Sequence, residues 1–337
     1  MDIKKLVLAV VIGGVTTTAM AVDKNAVRTQ AKMMHGPIPA TMPGAEADSP
    51  ALIDLGERLY FETALSADGT QSCNTCHRID GGRGGVDNEA TSLGVKGGRG
   101  DRNSPSVWNA GFHVAQFWDG RAADLAAQAK GPILNPVEMA VPDEQTAVSN
   151  LKEEGYEALF AEVFEGEAEP LTYDNVAKAI GAFERTLITV DRFDKFLAGD
   201  DTAMTETELK GYQTFVQSGC ASCHNGALFG GSMYMKMGLI NAYENTHDLG
   251  RFAVTNNPAD KYVFKVPSLR NITKTAPYFH DGAVAGLDEA VAQMAWMQLG
   301  RKLSDQEVSE IVAFLGALED THTITVKYLN SGAEVGQ

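Results

Sequence analysis

Only four of the 337 residues are cysteine and only three are tryptophan. Basic side chains are also in deficit, 28 Lys and Arg against 44 Asp and Glu, for a formal net charge of −16. Such a balance argues against nucleic acid as a partner, because phosphates would repel it. It suits a positively charged partner steered toward an acidic face, and equally suits a protein kept soluble by its charge. Beyond the first segment no run approaches the ~18 uninterrupted apolar residues of a membrane span, so a soluble body is expected. Long alternations of Val, Ile and Thr are missing too, so strands should be short. What remains is ordinary globular material, 44% hydrophobic and 21% charged, long enough for two domains with their own cores.

The opening "MDIKKLVLAVVIGGVTTTAMA" joins Lys4 and Lys5 to a short apolar run and the small-x-small site Ala19-Met20-Ala21. This predicts a secretory signal peptide over 1–21, with a retained anchor as the alternative. Export places the cysteines in an oxidising compartment, where four would ordinarily mean two disulfides. Here all four fall in two copies of one pentapeptide, "CNTCH" (73–77) and "CASCH" (220–224). Cys-x-x-Cys-His is the attachment signature of c-type haem: Cys73, Cys76, Cys220 and Cys223 add to vinyl groups, and His77 and His224 become proximal iron ligands. A zinc site seldom takes this adjacent-His form, and a redox dithiol needs neither the His nor a repeat.

The surroundings repeat as well. Ile53, Leu55 and Leu59 form a helical stripe before the first copy, and Leu209, Tyr212 and Phe215 form one before the second. A closing helix follows in each half. Val176, Ile180, Phe183 and Leu187 mark one; Val308, Ile311, Val312 and Leu315 mark the other, which starts at a Ser304/Glu307 capping box. The fold class expected is mainly α, two cytochrome c-like helical domains with one covalent haem c each. The boundaries are an arm without periodicity over 22–48, an N-terminal domain over 49–200, a C-terminal domain over 201–320 and a tail over 321–337 lying back as a strap. Within this scheme 78–105, rich in Gly and charge, reads as a long surface loop, and 191–204 as a linker.

"RNSPSVWNA", "AQFWDGRAADLAAQAKGPILNPVEMA", "GCASCHNGALFGG", "KVPSLRNITKTAPYFHDGAV" and "AVAQMAWMQLGRKLS" resemble blocks of the bacterial di-haem cytochrome c peroxidases, over about residues 45–320. The resemblance implies that the N-terminal haem reduces hydrogen peroxide and that the C-terminal haem takes in electrons. It implies Met294 as sixth ligand of the second iron, although "AVAQMAWMQLG" also offers Met297. A thioether there raises the potential and closes the site, as electron transfer requires. The resemblance further implies Trp118 between the haems, where simple packing is the competing reading, and Gln128 and Glu138 in the peroxide pocket. A carboxyl desolvated near iron can move a proton from one peroxide oxygen to the other. It also implies a calcium ion on the Asn103 side chain and the Thr275 and Pro277 carbonyls, a periplasmic location, a small c-type cytochrome or cupredoxin as donor, and a homodimer.

The chain departs from that pattern at one place. Many members carry a histidine that caps the resting peroxidatic iron; here "TSLGVKGG" puts Val95 there, and valine cannot ligate iron. His113 is the nearest candidate substitute in the motif blocks. The first iron is therefore expected to be open without reductive activation. Two other functions compete with the peroxidase: a MauG-like di-haem oxidase acting on a protein substrate, and a non-catalytic electron carrier. The oxidase uses a Tyr where Met294 stands, and no Tyr occurs between 279 and 327. A carrier needs two closed haems, and the first here lacks an evident sixth ligand.

Overall fold

The computed structural model describes residues 22–322 and 326–328. The signal peptide expected over 1–21 and most of the tail lie outside those residues. No described helix is long and apolar enough to cross a membrane. The helices are α1 (Lys24–Met34), α2 (Pro50–Phe61), α3 (Cys73–Cys76), α4 (Leu125–Leu134), α5 (Glu144–Glu153) and α6 (Glu157–Val163). They continue with α7 (Tyr173–Glu184), α8 (Arg192–Ala198), α9 (Glu206–Ser218), α10 (Phe252–Thr255), α11 (Leu287–Leu299) and α12 (Asp305–Gly316). Among the described residues one two-stranded ribbon completes the fold, β1 (Tyr234–Lys236) antiparallel to β2 (Val263–Lys265). Side-chain caps start the long helices: Ser49 for α2, the Thr205/Glu208 box for α9 and the expected Ser304/Glu307 box for α12.

Two apolar cores form around one repeated joint. In the N-terminal core α2 crosses α7, burying Leu55 and Leu59 against Val176 and Ile180. In the C-terminal core α9 crosses α12, burying Leu209, Tyr212 and Phe215 against Ile311 and Phe314. Each crossing turns on a glycine. A Cβ on Gly56 would sit 1.9 Å from the Ala179 carbonyl oxygen, and one on Gly211 would sit 1.9 Å from that of Glu310. Only a residue with no side chain lets the backbones approach so closely. The pentapeptide follows the first helix of each pair, so the crossing fixes where each haem site stands.

Two expectations over the connecting segments are corrected. The arm is helical over Lys24–Met34, held by the Asp23 cap, and it buries Val27 and Ala31, one turn apart, in the C-terminal core. The supposed linker contains α8, capped by Asp191 and ended by Gly199 in the left-handed region, and Phe193, Phe196 and Leu197 are buried in that same core. The loop 78–105 is irregular but anchored: Asn88 donates to the Lys274 and Ala276 carbonyls at 2.9 and 2.8 Å, and Ser92 bonds Ser104 at 2.7 Å. Residues 326–328 lie back on α2, with Lys327 Nζ and the Tyr328 hydroxyl both donating to Asp54 at 2.8 and 2.9 Å.

Candidate active site

The two pentapeptides present the same chemistry. α3 places Cys73 and Cys76 on one turn that ends at His77, and a 3₁₀ turn over Cys220–Ser222 does so before His224. None of the four thiols is in a disulfide. His77 Nδ1 donates to the Pro105 carbonyl at 3.0 Å, and His224 Nδ1 to that of Phe229 at 2.9 Å. A hydrogen bond at Nδ1 sets the tautomer and leaves the Nε2 lone pair for a metal. Burial lowers the pKa of both rings, which keeps them neutral as ligands must be. The Tyr60 hydroxyl donates to the His77 carbonyl at 2.5 Å and pins the end of the turn. Burial pushes the Cys76 and Cys220 thiols up to about 11, and Cys73 higher still. A redox dithiol is favoured by a lowered thiol pKa, which burial works against at Cys73, Cys76 and Cys220.

A cavity of about 230 Å³ opens beside the second pentapeptide. Cys220, Cys223, His224 and Met294 line it together with Phe215 and Leu299. Two thiols, one imidazole with its tautomer set, a facing thioether and an apolar wall are the donor set of a c-type haem, and the residues fit that group. Met297, the other candidate, is buried away from this lining. Met235 and Met237 also reach the cavity, which the sequence reading did not anticipate.

Around the first pentapeptide, Glu138 sits in the turn after α4, and Gln128 stands earlier on that helix. The Asn135 side-chain amide donates to Glu138 Oε1 at 2.8 Å. Burial raises the Glu138 pKa, with Asn135 and the charge of Arg121 opposing that rise. The segment with Val95 lies directly against this turn: Val95 N–H donates to the Glu138 carbonyl at 2.9 Å, and a Cβ on Gly94 would meet the Val137 carbonyl oxygen at 2.1 Å. Val95 therefore stands in the segment packed against the turn that carries the acid, where no imidazole is available. His113 lines the cavity of the second pentapeptide instead, and its Nδ1 is bonded to Lys265 Nζ at 2.8 Å.

Trp118 joins the two halves. Its indole N–H donates to the Asn103 carbonyl at 2.9 Å, its own carbonyl accepts from Lys265 N–H at 2.7 Å, and its ring meets His280 edge-on at 6.4 Å. Asn103, Thr275 and Pro277 share the cavity wall, and Asn103 N–H donates to the His280 carbonyl at 2.8 Å. The described residues hold no cluster of three or more His, Cys, Asp or Glu suited to a metal ion. A cation at Asn103 would rest on amide and carbonyl oxygens.

The sequence reading missed several buried titratable groups, two of them being Glu184 and Lys265. Glu184 lies on the buried face of α7, one turn after Ile180, with Oε2 unpartnered and its charge felt at Cys73 and Tyr60. A carboxylate on an apolar stripe was the available signal. Lys265 is the other; its strand is too short for its alternation to show which face is buried.

Residues 50–202 match the family described as di-haem cytochrome c peroxidase, and residues 209–319 match cytochrome c. The chain is 46% identical to the cytochrome c551 peroxidase of Nitrosomonas europaea, covering 84% of this chain and 83% of the relative. It is 45% identical to the cytochrome c551 peroxidase of Pseudomonas aeruginosa, over 87% and 86%. The crystal structure of a MauG-like protein associated with microbial copper homeostasis superposes with a TM-score of 0.77 at 27% identity, covering 88% of this chain and 97% of that one.

Proposed function

The chain belongs to the di-haem cytochrome c peroxidase family, and on that premise we propose that it is a periplasmic enzyme catalysing H2O2 + 2 e⁻ + 2 H⁺ → 2 H2O. The observation that carries the reading is the asymmetry of its two haem sites: a half-buried carboxyl of raised pKa on a turn bonded to the Val95 backbone near the first, a thioether lining the cavity of the second. When bound, the haems supply one iron open to peroxide and one iron that accepts electrons.

The protein's own groups do the rest. Glu138 would take a proton from one peroxide oxygen and hand it to the other, and its raised pKa suits both halves of the exchange. Asn135 holds Oε1 of that carboxyl, and Gln128 would orient the substrate by its amide. Met294 closes the second site, Trp118 stands on the path between the sites, and Asn103, Thr275 and Pro277 hold calcium where the domains meet. A small cytochrome c or cupredoxin with a basic docking face supplies the electrons to an acidic, homodimeric enzyme, and its rate falls with added salt.

Val95 makes this chain ready as isolated. The protein, oxidised throughout, should bind cyanide at one haem of two and turn over peroxide at full rate without pre-reduction. Val95→His should restore a dependence on pre-reduction. A wild-type enzyme silent until reduced, or one binding no exogenous ligand, overturns the reading. The Met294 side chain, with no Tyr from 279 to 327, speaks against an oxidase of protein substrates.

A further inference from the structure

Among the described residues the buried Lys and Arg side chains are Arg270 and Lys265, and these two differ in how they are neutralised. Arg270, which lines the second cavity, donates to Asp191, to Asp194 at 3.1 Å and to the Ala227 carbonyl at 2.6 Å. Arg102 holds Asp119 and Asp248, each at 2.6 Å. Lys265 lines the same cavity as Arg270, is only 5% exposed, and has no carboxylate. Among the described residues its Nζ reaches His113 Nδ1 at 2.8 Å and nothing else. Burial alone acts on this amine and lowers its pKa to about 8.

Donor bookkeeping sharpens the anomaly. An ammonium can only donate, so His113 Nδ1 accepts and the ring hydrogen sits on Nε2. That Nε2 is buried without a partner. The pair thus offers at least two donors and one positive charge to a cavity wall, with no acceptor from the protein. Leaving a charge buried and unpaired costs several kcal/mol, so the site calls for an anion. The cavity belongs to Cys220, Cys223 and His224, and the group attached there carries its own carboxylates.

We infer that the Lys265 ammonium and the His113 Nε2–H together hold one propionate carboxylate of the haem bound at Cys220 and Cys223. The inference rests on the haem reading of the second pentapeptide. It ties that cofactor to the backbone of Trp118, whose carbonyl accepts from Lys265 N–H. A cation beside the haem edge also favours the reduced iron, so the pair holds the potential of the electron-accepting site up.

The test is potentiometry of the holoprotein, with haem content measured in parallel. Lys265→Met should lower the midpoint potential of the C-terminal haem by about a tenfold change in its reduction equilibrium, ~59 mV for one electron. The N-terminal haem should not move, and Lys265→Arg should restore most of the shift. His113→Phe should shift the potential the same way by less. A Lys265→Met protein with both haems and an unchanged C-terminal potential overturns the inference. A wild type with fewer than two haems overturns the haem reading beneath it. Should Lys265→Met fail to accumulate, the wild type decides. His113 is the titratable side chain in contact with Lys265, Tyr234 stands opposite it on β1, and Arg270, Tyr278 and His280 line the same cavity. A paired ammonium keeps the potential flat from pH 7 to 9, whereas a fall centred near pH 8 is the lone amine titrating and refutes the pairing.

Discussion

Replacing Glu138 by Gln is the most direct challenge to the proposed chemistry. The substitution keeps the shape of the side chain, and it keeps an oxygen for the 2.8 Å bond from the Asn135 amide. It removes only the ability to take and return a proton. Loss of a positioned acid–base group costs 10²–10⁴-fold, about 2.7–5.4 kcal/mol of barrier at 1.36 kcal/mol per decade. Burial raises the pKa of Glu138, which suits it to the exchange the substitution removes. Steady-state peroxide reduction with a reduced small cytochrome reads the effect, beside haem content, which should be unchanged. The pH profile carries the sign. The carboxylate must be ionised to accept the first proton, so wild-type kcat/KM falls as pH drops through the raised pKa. Gln has no such limb, and the residual activity of the variant should be flat there. A variant within threefold of wild type, or one that keeps the acid limb, refutes the assignment of Glu138.

Other consequences are as specific. Gly56→Ala and Gly211→Ala each thrust a Cβ to 1.9 Å from a carbonyl oxygen that cannot swing aside, so each should cost about 2–3 kcal/mol and lower Tm by about 4–12 °C. Gly316→Ala, with open space around it, should be neutral or stabilising by up to about 1 kcal/mol; equal Tm for all three would refute the crossing argument. Burial pushes Glu184 up to about 8 from 4.5, so the fold prefers its neutral form. That preference is full below about pH 4.5 and is lost as pH rises through about 8, a change of roughly 5 kcal/mol, so Glu184→Gln should flatten the fall of Tm over that window. Met294→His should lower the potential of the C-terminal haem and slow its reduction by donor, whereas Met297→His should leave the potential alone because its side chain faces away from the cavity.

What was legible beforehand divides along the range of the interactions. The pentapeptides, the four stripes and the Ser304/Glu307 box are local patterns, and each stands in the structure as a local feature. α8 was legible in principle, since Asp191, Phe193, Phe196 and Gly199 are a cap, a stripe and a stop. A seven-residue helix between charges reads as a linker until its core is known. α1 hid its two buried positions in a polar stretch, where they were too few to make a period. The helix crossings were harder still. A glycine inside a helix reads as a weakness, and Gly56 and Gly211 become requirements only when the facing carbonyls are known.

The pairing of His113 with Lys265 spans 152 residues and no sequence period encodes it. It also bears on how the two halves act as one enzyme. Trp118 lies in the N-terminal half, yet its carbonyl is bound by the strand residue that lines the C-terminal cavity, and its indole binds Asn103 at the foot of the loop bearing Val95. That loop reaches the Glu138 turn through a single backbone bond of 2.9 Å. Hydrogen bonds through the Trp118 indole and the intervening chain therefore connect the cavity of the second pentapeptide to the Glu138 turn. Under the proposed function, a capping imidazole would make this route a switch released only by breaking a bond to iron. Val95 offers no such bond to break, which is why the proposal expects turnover without pre-reduction.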